Sequence, residues 1–214
     1  VTAAHYNGKI PRNPFAMYHV DPDHKEREFL TEEELSMFAG IKLENPNFAF
    51  ARDLFLFGCW TGISFIDIKN LTEDNIVNIN GAPWIVSQRQ KTSVPFKIKL
   101  MESSLRIIER YKPFRKDEHL FAIGSLDMVN KRIKRVAKMC GIKKRISFHV
   151  SRHTFAVLAL EHGMPIESVS KILGHTNITT TQIYAKVTST KLEHDISVFE
   201  SRIKGHLPAM GGAV

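Results

Sequence analysis

No apolar run in the chain approaches the roughly 18 residues that a membrane-spanning helix needs, so no segment is expected to cross a bilayer. No basic-then-apolar leader opens the sequence. The first residue is Val1 and not Met, so the chain reads as a piece of a longer protein. Cysteine is scarce: Cys59, in the apolar run LFLFGCW, and Cys140, after VAKM, are the only two. They read as buried, reduced thiols, which fits a cytoplasmic location and not a disulfide framework. The phosphate-cradling glycine patterns G-x-x-x-x-G-K-[ST] and G-x-G-x-x-G are both absent, as is C-x-x-C. Nucleotide-driven chemistry and a cysteine-ligated metal therefore have no support.

Acid is also in deficit. The 22 Asp and Glu face 30 Lys and Arg, a formal net charge of +8. That excess points to a polyanionic partner, nucleic acid above all, although a soluble protein can simply be basic. Its distribution sharpens the point. The segment NKRIKRVAKMCGIKKR, residues 130–145, holds eight Lys or Arg and no acid. A solvated helix face normally mixes both signs. Lys131, Arg132, Lys134, Arg135, Lys143, Lys144 and Arg145 are thus candidate contacts to nucleic-acid phosphates.

At 214 residues the chain can bury one sizeable core. Residues 1–30, punctuated by Pro11, Pro14 and Pro22, show no clear periodicity and read as an interdomain linker or strap. The folded domain is expected over 31–206, with a flexible tail at 207–214. TEEE, from Thr31, is a capping box, and Leu35, Phe38 and Ile41 continue it as a helical stripe. Residues 48–60 predict a buried apolar helix that ends at Thr61-Gly62, and Ser64 can cap a short third helix. Strand-like runs follow at 75–80, 83–90 and 94–100, with NGAP and KTS as turns. Helices are expected again at 102–111, 127–140, 150–162, 165–173, 177–185 and 189–204. Because strands do not alternate with helices, the fold class is mainly α (α+β), a helical bundle with a small three-stranded antiparallel sheet.

FHVSRHTF, residues 148–155, crowds His149, Arg152 and His153 together. His149 and His153 are four apart, as in zinc proteases, but those need Glu directly after the first His, and here stands Val150. Arg152 beside a dication would add repulsion, so no metal site is expected. His149 and Arg152, three apart, can share one side of a helix start. There Arg can grip two phosphate oxygens, His can move a proton, and the helix terminus favours an anion. Taken alone, a polar helix start is the commoner reading of such a pair. Downstream, Gly174 ends a helix, His175 follows, and Tyr184 comes nine residues later. A tyrosine near His and Arg can be a nucleophile toward phosphorus, while a lone tyrosine is by default a packing residue.

HVSRHTFA resembles the H-x-x-R-H box of the tyrosine recombinases, also called phage-type integrases, and LGHTNITTTQIYAKV resembles their L-G-H…Y box. RQKT before a strand looks like their β-hairpin lysine, and FLFGCWTGISFIDIKNLT like their T-G-x-R-x-x-E/D box. The resemblance runs from about Thr31 to about Ile203 and implies their catalytic-domain fold. It also implies site-specific recombination or integration of a mobile element, with double-stranded DNA as partner. Tyr184 would attack a phosphodiester and leave a 3′-phosphotyrosyl link and a free 5′-hydroxyl. Arg152 and His175 would hold the phosphate, His149 would act as general base, and Lys91 would protonate the leaving oxygen. Asp67 would brace the site, and His153 would pack against or support its neighbours. Neither ATP nor metal is required. A tetramer on DNA, accessory DNA-bending factors and a C-terminal helix (189–204) docked in cis or in trans complete the expectation.

One departure stands out. Ser64 occupies the position of the family's first catalytic arginine. Losing one strong transition-state donor costs about 2.7–4 kcal/mol. The chain is therefore an inactive DNA-binding protein of this fold, an enzyme with fewer donors, or one in which another cation fills the place. Arg89 is the first candidate, placed by strand alternation on the same side as Lys91, and Arg52 the second. A DNA-relaxing enzyme of related chemistry is a further alternative.

Overall fold

A computed structural model describes residues 4, 6–11, 28–185 and 189–203. Most of the segment read as a linker, and the tail at 207–214, lie outside these residues. The folded unit begins before Thr31: Leu30 is fully buried, and its amide donates to Thr154 Oγ1 at 2.9 Å.

Helix α1 (Glu32–Gly40) starts at the expected capping box, with Thr31 accepting from the Glu34 amide and Glu34 accepting from that of Thr31. Helix α2 (Pro46–Thr61) begins earlier than its apolar pattern suggests. Asn45 caps it, and Pro46 stands in the first turn, where no backbone N–H is needed. α2 is the central helix of the molecule. It packs on α4 (Glu102–Tyr111), α5 (Leu126–Met139) and α6 (Phe148–Glu161) through a phenylalanine-rich core. Phe38 meets Phe55 at 5.0 Å between ring centroids, Phe57 meets Phe121 at 5.1 Å, and Phe65 meets Phe148 at 5.2 Å. Cys59 is buried and Cys140 half-buried, both as free thiols, and burial pushes the Cys59 thiol well up.

α2 comes tightly against α6 at Gly58. A Cβ there would lie 2.4 Å from Ser151 Oγ and 3.0 Å from Ser151 Cβ. The hydroxyl can rotate away, but the Cβ cannot. Gly58→Ala is expected to destabilise by about 1–3 kcal/mol through overpacking. Urea unfolding should show a lower midpoint with an unchanged slope.

Strands β1 (Ile76–Ile79), β2 (Ala82–Gln88) and β3 (Pro95–Lys99) form the expected antiparallel sheet in the order β1-β2-β3. Asn80 and Gly81 make the first turn, both at positive φ, as a two-residue hairpin prefers. β2 stops at Gln88, short of the expected end. Arg89 and Lys91 therefore do not alternate along a strand. The Arg89 amide donates to Val94 O at 2.9 Å, and the chain turns over residues 90–92. Arg89 goes inward and Lys91 stays exposed at the tip.

Further helices among the described residues are α3 (Phe65–Lys69), α7 (Ile166–Leu173), α8 (Thr179–Gln182) and α9 (Ser189–Ile203). α8 is much shorter than the expected 177–185, and Tyr184 lies in the turn after it. Among the described residues no helix is long and apolar enough to cross a membrane.

Candidate active site

The site is built around the N-terminal turn of α6. Ser147 makes no side-chain cap; instead Asn130, on α5, accepts from the Phe148 amide at 2.7 Å. The helix starts at Phe148, so His149, Arg152 and His153 all lie on it. His149 is exposed, Arg152 half-buried, and His153 buried. The His149 ring stands edge-on to that of His153, with centroids 4.3 Å apart.

Arg152 is held by two chain turns. One Nη donates to Gly62 O at 2.8 Å, where the backbone leaves α2, and the other to Leu173 O at the end of α7. Arg89 reaches the neighbouring carbonyl, Ile172 O. The two guanidiniums thus satisfy adjacent orphan carbonyls at the negative end of α7. Gly174 ends that helix at φ +63°, and a Cβ there would come within 2.8 Å of Arg89 Nε, so glycine is needed for both turn and space. Burial and the nearby Arg89 pull the Arg152 pKa down to about 10, partly offset by Tyr184 and Asp67. Arg152 still carries its charge at neutral pH.

Asp67 binds the arginine hairpin to α3. Its carboxylate accepts from Arg89 Nη1 at 2.9 Å, from the Gln90 amide at 2.8 Å and from the Ser64 hydroxyl at 2.7 Å. Arg89 also lies over the Phe96 ring at 4.0 Å, and its buried Nε has no hydrogen-bond partner among the described residues. Burial lowers the Arg89 pKa, with Asp67 opposing. Ser64 therefore does not extend a donor outward; it caps α3 and braces Asp67. Arg52 is elsewhere: it pairs with Asp53 and donates to Ala39 O and Ile41 O at the end of α1, so it is no substitute cation.

His175 follows Gly174, with Nδ1 2.8 Å from the buried Thr181 hydroxyl. Tyr184 is 9 % exposed, and its hydroxyl lies 2.5 Å from His153 Nδ1. Of the sequence candidates, Arg152 and Arg89 meet at the end of α7, Ser64 joins them through Asp67, and Tyr184 and His149 come together at His153. The bond from Tyr184 to His153 was not expected.

The basic segment divides by face. Val129, Ile133, Val136 and Ala137 turn inward on α5, while Lys131, Lys134 and Arg135 are exposed and Arg132 half-buried. Lys143 and Arg145 are exposed as well. Lys144 departs from the expectation. It turns inward to Glu34 Oε2 at 2.5 Å and Phe29 O at 2.8 Å, so its charge is spent on the strap and α1.

A family model described as the phage integrase family matches residues 28–191. The chain belongs to that family. Among curated relatives, the tyrosine recombinase XerD of Listeria monocytogenes is 44% identical over 70 residues, covering 33% of this chain and 24% of the relative. The tyrosine recombinase XerA of Saccharolobus solfataricus is 34% identical over 94 residues, covering 44% and 31%. The XerD of Staphylococcus aureus is 28% identical over 152 residues, covering 66% and 52%. The chain thus spans about a quarter of the length of the first of these relatives. Among solved structures, the Tn1549 transposon integrase in complex with circular intermediate DNA superposes with a TM-score of 0.70 at 21% identity, covering 92% of this chain and 74% of that one. A lambda integrase dimer bound to a core site gives 0.67 at 19%, covering 86% and 68%. The mainly helical domain with its small antiparallel sheet is therefore the fold of the phage integrases.

Proposed function

We propose that this chain is the catalytic domain, about residues 31–206, of a tyrosine site-specific recombinase, the integrase of a mobile element. It would cut and rejoin double-stranded DNA through a 3′-phosphotyrosyl intermediate. The observation that carries the reading is that Tyr184, hydrogen-bonded to His153, shares a buried cluster with Leu173, whose carbonyl and that of Ile172 take the inward-held guanidiniums of Arg152 and Arg89. Fixed cations beside a phenol suit attack on a phosphodiester.

In the proposed step the Tyr184 oxygen bonds to phosphorus as the bond to the 5′ oxygen breaks. Arg152 and His175 stabilise the charge on the non-bridging oxygens. His149 takes the phenol proton, and Lys91, at the tip of the hairpin turn, gives one to the 5′ oxygen. Rejoining reverses these transfers, so no external energy source enters the balance. Arg89 supplies the donor that Ser64 cannot, and Asp67 and Ser64 hold it in register.

Lys131, Arg132, Lys134, Arg135, Lys143 and Arg145 would lie along the DNA backbone, whereas Lys144 would not. Replacing Lys134 and Arg135 by Ala should lower the slope of log affinity against log salt by about 0.9 for each phosphate no longer neutralised. Fluorescence anisotropy over a salt series would measure it, and an unchanged slope would remove α5 from the interface. Leu192, Ile196 and Phe199 form an exposed apolar stripe on α9. That face suits docking on a neighbouring protomer in a tetramer on DNA, with accessory DNA-bending factors as further partners and the cytoplasm as the setting.

The deciding experiment is covalent trapping on a nicked suicide DNA carrying the element's own crossover site, with the full-length protein. An SDS-resistant protein–DNA band supports the reading. Confirmed binding without a band would favour an inactive DNA-binding protein. Relaxation of supercoiled plasmid without recombinant products would favour a relaxing enzyme.

A further inference from the structure

We propose that His153 is a positioning residue for Tyr184, holding the attacking oxygen in place through its hydrogen bond to Nδ1. The inference rests on reading Tyr184 as the nucleophile.

Tyr184 has little local structure to fix it. It sits in the turn after the four-residue helix α8, with backbone bonds from its own amide to Thr181 O and from the Ala185 amide to Gln182 O. Its sequence neighbours Ile183 and Ala185 are exposed. Its ring is buried in the cluster that holds Phe155, Leu160, Val169 and Leu173, and at the hydroxyl end His153 supplies a polar anchor from elsewhere in the fold. Its Nδ1 is 2.5 Å from the hydroxyl, and the two rings are 5.3 Å apart between centroids.

The anchor is itself well fixed. His153 is only 6 % exposed and lies within α6, with the His149 ring edge-on against it. It directly follows Arg152, whose guanidinium is fastened to Gly62 O and Leu173 O. One rigid helix therefore carries both the candidate phosphate clamp and the grip on the nucleophile. When the imidazole is neutral with its proton on Nε2, Nδ1 accepts the phenol hydrogen in the resting site; the hydroxyl turns that hydrogen to His149 for the step itself, and the oxygen keeps lone pairs for phosphorus. Holding two reacting groups from one rigid element shortens the search for attack geometry, and a misplacement of about 1 Å can cost on the order of a hundred-fold in rate.

His153→Ala and His153→Asn in the full-length protein test this. The Asn amide oxygen can accept from the phenol near the place of Nδ1, whereas Ala cannot. Single-turnover cleavage of the suicide DNA at saturating protein is expected to fall about a hundred-fold in Ala and to recover most of that loss in Asn. Parental cleavage by His153→Ala, or an equal loss in both variants, would overturn the proposal, since the second result is what a packing role gives. If Ala does not fold, the free protein decides. The ¹⁵N resonance of His153 Nδ1 should move when Tyr184→Phe removes the donor, and an unmoved resonance would defeat the proposal. Because this shift needs no DNA, it remains readable even if the parent forms no covalent adduct, the result that would count against the nucleophile reading itself.

Discussion

Tyr184→Phe is expected to abolish the covalent protein–DNA adduct while leaving site binding at its parental affinity. The substitution removes one oxygen. If that oxygen is the nucleophile, no slower version of the same route survives, because the Phe ring offers nothing to attack with. The fold should lose little. Tyr184 is buried in the cluster that also holds Phe155, Val157, Leu160, Val169 and Leu173, and Phe keeps the ring that belongs to it. What it forfeits is the bond to His153 Nδ1, leaving a buried ring nitrogen without that partner. An unsatisfied buried group costs about 1–3 kcal/mol. The midpoint of a melt followed by circular dichroism should therefore fall modestly while the SDS-resistant band vanishes. A band that persists in the Phe variant would assign the attack to another residue.

Much of the scaffold behind this site is legible in the sequence, and the reason is locality. The capping box at Thr31–Glu34, the inward Leu35 and Phe38 of α1 and the Asn80-Gly81 hairpin turn each depend on residues within a few positions of one another. The two boxes around Arg152 and Tyr184 are legible as patterns too. What the sequence hides is set by partners far apart along the chain. Asn130 caps α6 from 18 residues away, and Lys144 reaches Glu34 across 110. No spacing announces either. Arg89 shows the limit most clearly. Strand alternation would put it beside Lys91, but the strand ends one residue earlier, and the pull of Asp67 and of the carbonyl of Ile172 turns it inward. Arg89 comes to lie beside Arg152 at the end of α7, by a geometry other than the one alternation implies. The His153 bond is hidden for a similar reason, because periodicity places His153 on the inner side of a helix without saying what meets it there.

Arg89→Ala is expected to slow cleavage by about a hundred- to a thousand-fold, the cost of one lost transition-state donor. That result alone would be ambiguous. Arg89 and Asp67 form a buried pair, with side chains 5% and 4% exposed. Removing one partner strands a buried charge, which costs about 3–5 kcal/mol of stability. A slow variant could thus be slow because its site has loosened. The double variant Arg89→Met, Asp67→Asn separates the two causes. Met fills much of the volume over Phe96, and Asn can still accept from Ser64 or from the Gln90 amide, so neither charge is left stranded. Urea unfolding should show most of the lost stability returned. If Arg89 acts on the phosphate, cleavage by the double variant stays as slow as in Arg89→Ala, because the donor is still missing. If its role is only to neutralise Asp67, cleavage recovers with stability. Parental cleavage by Arg89→Ala itself would return the question to Ser64, and an enzyme that runs with one donor fewer would then be the reading to keep.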